Sequence, residues 1–101
     1  MVAVGCGGAY VDVRNHSTVP LRNVVVAAQG GSAAIGDVEP SSSQVTSLCP
    51  HGEAGALEVT FESNGLNHRS KQPLYFECSA SYGIEIVVSR EFEVVASVRI
   101  K

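Results

Sequence analysis

Cys49-Pro50-His51-Gly52-Glu53 places a thiol, an imidazole and a carboxylate within five residues. Two chemistries draw on such a set. A zinc site needs four ligands at characteristic spacings, yet no C-x-x-C or H-x-x-x-H accompanies the cluster, and His16 and His68 stand in distant segments. A nucleophilic thiolate needs a histidine within reach, an orienting group and an oxyanion hole. Cys49 and His51 would share one side of an extended chain, but Pro50 bends it, and no glycine-rich nucleophile elbow is present. A polar loop with a solvent-facing histidine fits better. A metal- or thiol-dependent enzyme centred on Cys49, His51 and Glu53 is therefore the rival reading. No catalytic residue, metal ligand or cofactor is assigned.

The three cysteines, Cys6, Cys49 and Cys78, pose a separate question. Both Cys49 and Cys78 fall at strand ends; Cys78 has the parity of Leu74 and Phe76 and is expected to point inward, and the parity of Cys49 with Val45 permits the same. A Cys49–Cys78 bridge would close a loop of about 29 residues and contribute roughly 3–4 kcal/mol. Three reduced thiols are the alternative, the choice depending on compartment. Met1-Val2-Ala3-Val4-Gly5-Cys6 is similar to the end of a bacterial lipoprotein signal, which makes Cys6 a candidate lipid anchor. Asn15-His16-Ser17 matches the N-glycosylation pattern, a common tripeptide. Tyr75 has outward parity and, with Tyr82, is the candidate contact surface, for a protein or for a small molecule or carbohydrate.

Composition narrows the classes. With 45% hydrophobic and 17% charged residues in a 101-residue chain, one globular domain is expected. The seven basic residues are scattered and the net charge is −3, which argues against nucleic acid as a partner. No apolar run approaches the roughly 20 residues of a membrane helix, leaving a lipid at Cys6 as the membrane link.

The elements that must position these residues are strands. Leu57, Val59 and Phe61 alternate with Glu58, Thr60 and Glu62, giving a dry and a wet face. Asn64-Gly65 then predicts a type I′ turn joining 57–62 to a polar edge strand, 66–70, that Pro73 ends. Phe92, Val94, Ala96, Val98 and Ile100 share a face in the last strand, with Val95 the one apolar residue on the other side. Ile84, Ile86 and Val88 precede it across Ser89-Arg90-Glu91, a second hairpin. Val11 and Val13 point inward from the first strand, and 15–20 is a turn rich in Asn, Ser and Pro. Val24-Val25-Val26 suggests a strand covered on both faces. Strands at 33–38, 44–49 and 74–78 bring the total to eight or nine, with little or no helix. The expectation is all-β: a single antiparallel β-sandwich over 9–101 after a flexible lead-in, 1–8.

Three stretches carry a resemblance: Val11-Asp12-Val13-Arg14-Asn15-His16-Ser17, Leu21-Arg22-Asn23-Val24 and Ile35-Gly36-Asp37-Val38-Glu39-Pro40. Together they resemble small immunoglobulin-like β-domains of bacterial envelope proteins and lipoproteins. The run from Tyr75-Phe76-Glu77 to Tyr82 also looks like the aromatic strand pair of short hypothetical bacterial proteins. The resemblance implies a sandwich in the periplasm or cell envelope, with the cytoplasm as the alternative, and transfers no site residues. The function expected is non-enzymatic: a module acting through contacts with a protein partner or through self-association.

Overall fold

Asn64 and Gly65 both take positive φ, 54° and 77°, as a two-residue type I′ turn requires. Register follows from the turn: Ser63 pairs with Leu66, Phe61 with His68 and Val59 with Ser70. The computed structural model describes residues 9–28, 31–48, 53–77 and 82–100, and among these there is no helix.

The described residues form eight strands: β1 (Ala9–Asn15), β2 (Leu21–Ala28), β3 (Gly31–Val38), β4 (Ser43–Leu48), β5 (Glu53–Ser63), β6 (Leu66–Glu77), β7 (Tyr82–Val88) and β8 (Val94–Ile100). They build two four-stranded sheets, ordered β4-β1-β7-β8 and β3-β2-β5-β6. Every ladder is antiparallel except one, where β1 lies parallel to β7 with Val11 beside Ile84 and Val13 beside Ile86. The expected antiparallel β-sandwich is present, with this one parallel ladder inside it. Parallel partners cannot be joined by a tight turn, so local sequence gives no cue to them.

The sheets meet through their dry faces. Val11 and Val13 of β1 and Ile84, Ile86 and Val88 of β7 face Leu21, Val24 and Val26 of β2 and Leu57, Val59 and Phe61 of β5, all buried. Val38 and Leu48 close the core from β3 and β4. Full burial of each such side chain is worth about 1.5–3 kcal/mol, which makes this layer the main source of stability.

Several expectations change. Pro73 does not end its strand: β6 continues to Glu77, absorbing the separate strand at 74–78. Pro73 stands opposite Ala56 where the register shifts, and β6 is an edge strand, the two settings in which a ladder tolerates a missing N–H. Val25 is only half-buried. Leu21 and Val24 both face inward despite odd spacing, because β2 bulges at Asn23 (φ 53°). Val45 points outward, while Cys49, whose parity is read from it, lies outside the described residues. Phe92 lies before β8 in a left-handed turn (φ 63°), with its ring centroid 4.9 Å from that of His68. His68 in turn stacks on Phe61 at 4.9 Å.

Asn15 fastens three segments where β1 ends. Its Nδ2 donates to the carbonyls of Val19 (2.8 Å) and Val38 (3.0 Å), while Oδ1 accepts from Ser17 N (2.9 Å) and Ser17 Oγ (2.6 Å). Its main chain also bonds Ser41 and Ser42 in the turn before β4. Buried, with both amide hydrogens engaged, Asn15 is a structural lock and is not open to a glycan in the folded domain.

Candidate functional site

The alternation that buries Val11 and Val13 turns Tyr10, Asp12 and Arg14 to the outer face of the first sheet. The ladders extend this into rows. Val45, Asp12, Glu85 and Ser97 form one row, and Ser43, Arg14, Val87 and Val95 the next. Arg14 ties the centre together, its Nε 3.0 Å from Glu85 Oε2 and its Nη2 3.2 Å from Asp12 Oδ2. The three side chains carry one net negative charge at neutral pH.

Four large hydrophobic residues are strongly exposed among those described: Tyr10 (59%), Val45 (61%), Val95 (63%) and Leu66 (64%). Leu66 flanks the β5–β6 turn, and the other three share this one face. Tyr10, Asp12, Arg14, Val45, Gly83 and Glu85 also border a shallow concavity of about 310 Å³. Gly83 sits beside Tyr10 in the parallel ladder and presents no side chain there. The result is a mixed surface, apolar at opposite corners and ionic between them.

The outer face of the second sheet differs in kind. Asn23, Thr60, Glu62, Asn67 and Arg69 are among the residues around a larger polar saddle of about 470 Å³. Beside it, Asp37 accepts from Arg22 Nη1 (2.8 Å) and from the Asn23 amide (3.2 Å). The Asn23 amide, then Arg22, hold its carboxyl below the ordinary carboxylate range. Gly36 (φ 90°) faces Val24 across this bulged stretch. These groups satisfy one another, so they brace the β2–β3 bulge.

The residues singled out from sequence fall largely on positions whose side chains the structure does not describe. Cys6, Cys49, His51 and Cys78 lie outside the described residues, which leaves the lipid anchor, the bridge and the Cys49-His51-Glu53 centre without a described geometry. The backbone of Glu53 pairs with Glu77 at the start of β5. Tyr75 belongs to β6 and Tyr82 to β7, in different sheets, and their side chains also lie outside the described set. Among the described residues no three His, Cys, Asp or Glu side chains come together as metal ligands. The surface that does assemble, Tyr10-Val45-Val95, had one visible signal: Val95 breaks the alternation of its strand. An oily residue on a wet face costs solubility unless something covers it.

Comparison with protein-family models finds no match for this chain, and comparison with curated proteins finds none either. Among solved structures, the NMR structure of a protein from Eubacterium rectale superposes with a TM-score of 0.68. The match covers 100% of this chain and 97% of that one at 13% identity. At that identity the likeness is one of fold: this chain shares its two-sheet architecture with the Eubacterium rectale protein.

Proposed function

We propose that the protein is a non-enzymatic interaction module of the cell envelope that docks a protein partner on the outer face of its first sheet. One observation carries the reading: three of the four strongly exposed large hydrophobics converge on that face around the Asp12-Arg14-Glu85 cluster. Apolar corners with an ionic centre suit a partner that covers Tyr10 and Val45 and offers a Lys or Arg near Asp12 and Glu85. The envelope setting rests on the resemblance of the strand-and-turn residues.

The test compares the intact protein with Tyr10→Ala/Val45→Lys as bait for native envelope extract. Both substitutions lie on the outer face, so the double variant is expected to keep its β circular dichroism and lose the proteins retained by the parent. An identical set retained by both baits would defeat the reading.

A further inference from the structure

Four strands end the two sheets: β4 and β8 in the first, β3 and β6 in the second. Natural sheets guard such edges with charge, proline or bulges. β3 shifts register against β2 near left-handed Gly36, and β6 carries Arg69, Lys71 and Pro73. β4, Ser43-Gln44-Val45-Thr46-Ser47-Leu48, has no charge and no proline, and its register with β1 is unbroken. β8 is as plain from Val94 to Val98, but of the exposed apolar residues it holds Val95 alone. β4 holds Val45 and pairs with the strand of Tyr10.

Hydrogen-bond parity shows what β4 presents. The Asn15 amide donates to the Ser42 carbonyl on the β4 side (2.9 Å), and the His16 amide to the Val88 carbonyl on the β7 side (2.8 Å). Successive residues of a strand address opposite neighbours. Val13 and Val11 therefore bond Gln44 and Thr46, while Arg14, Asp12 and Tyr10 address β7. The amides and carbonyls of Ser43, Val45 and Ser47 are left pointing away from β1, toward an edge where no described strand pairs. All three residues are exposed, and their side chains stand on the outer face. A strand added there by main-chain hydrogen bonds would extend the rows Val45-Asp12-Glu85 and Ser47-Tyr10-Gly83.

Charge says which strand. Asp12 and Glu85 share the one guanidinium of Arg14, and Asp12 Oδ1 is out of solvent with no hydrogen-bond partner among the described residues. A residue laid beside Val45 is two strand spacings, about 10 Å, from Asp12. A lysine or arginine closes that gap with its stem lying on the valine. We infer that β4 takes, as a fifth strand of its sheet, an extended segment of a partner protein with Lys or Arg beside Val45 and an apolar residue two positions away, toward Tyr10. The inference rests on the interaction-module reading and specifies its partner.

A fluorescein-labelled peptide, Thr-Val-Thr-Lys-Thr-Val-Thr, and its counterpart with Glu for Lys test it by fluorescence anisotropy. Valine on both sides serves either strand direction. The Lys peptide is expected to bind about tenfold more tightly at low salt, the swing from an attracted to a repelled pair. In the parent it should protect the amides of Ser43, Val45 and Ser47 from hydrogen exchange and change those of Gln44 and Thr46 least, a readout that needs no variant. Ser47→Pro removes one outward amide and sets its ring in the edge, leaving Tyr10, Val45, Val95 and the bonds to β1 in place. It is expected to abolish binding at an unchanged melting midpoint, whereas Ser47→Ala binds as the parent does. No binding of either peptide, equal binding of both, or binding that survives Ser47→Pro overturns the inference. So does self-association of the parent that Ser47→Pro removes and the Lys peptide leaves untouched, which gives the edge to a second copy. Envelope proteins retained by Ser47→Pro but lost by Tyr10→Ala/Val45→Lys would overturn the added strand and leave the docking face standing.

Discussion

Asn15 shows how far one side chain reaches. It completes hydrogen bonds that the β1–β2 loop and the end of β3 would otherwise leave open in a dry setting. Asn15→Ala is expected to cost about 3 kcal/mol, because the Val38 carbonyl and the Ser17 amide lose their buried side-chain partner, while the Val19 carbonyl keeps only Ser17 Oγ. A urea midpoint lowered at unchanged slope would record it. Asp37 acts at the surface and through charge. Its carboxyl titrates below its ordinary 3.8 because the Asn23 amide and Arg22 favour the ionised form. Its contribution is complete above that ordinary value and disappears as pH falls through the lowered one. Asp37→Asn should therefore flatten the acid limb of the stability profile below about pH 4 and leave its shape near neutrality unchanged, which thermal melts across pH will show. At this scale the sequence was readable where chemistry is local. Asn-x-Ser announced a turn, but only the distant Val38 carbonyl reveals why the asparagine is buried.

Elements defined by their own residues were the most legible. The β5–β6 hairpin follows from alternation and Asn64-Gly65, and the register closes on Ser63 and Leu66 as the turn demands. Gly65→Ala places a Cβ at φ 77° and should destabilise by about 1–2 kcal/mol, although no atom lies near enough to clash. The cost is backbone strain, so Gly65→Asn should recover part of it in the same denaturation series. The β7–β8 hairpin was equally plain, with Ser89 Oγ accepting from the amides of Glu91 (3.3 Å) and Glu93 (3.1 Å) in the connection. Parity failed where irregularity intervened. The Asn23 bulge resets β2, Pro73 is absorbed by an edge, and Val45 faces water on a strand whose dry side is held by Leu48. None of these offsets is written in a two-residue rhythm, since each depends on a neighbouring strand. The candidate face was harder still: Tyr10, Val45 and Val95 come from three strands whose adjacency is decided by pairing alone.

At the scale of the whole fold, thirteen hydrophobic side chains among the described residues form one buried cluster shared by both sheets, so the domain should unfold as a unit. Leu57→Ala, at the centre of β5, is expected to remove about 2–5 kcal/mol from a total that for such domains is about 5–15 kcal/mol. A single calorimetric transition at reduced temperature would confirm both size and cooperativity. The lone parallel ladder has its own bearing on how the chain is made. Ala9 lies beside Tyr82, roughly seventy positions later, so β1 leaves the ribosome long before its central neighbour exists. β2, β3, β5 and β6 are all available once Glu77 has emerged, and β1 can pair with β4 earlier still, whereas the centre of the first sheet must wait for translation to reach β7. Vectorial synthesis thus assigns this domain an order of assembly, with the inner edge of its first strand among the last to find its neighbour.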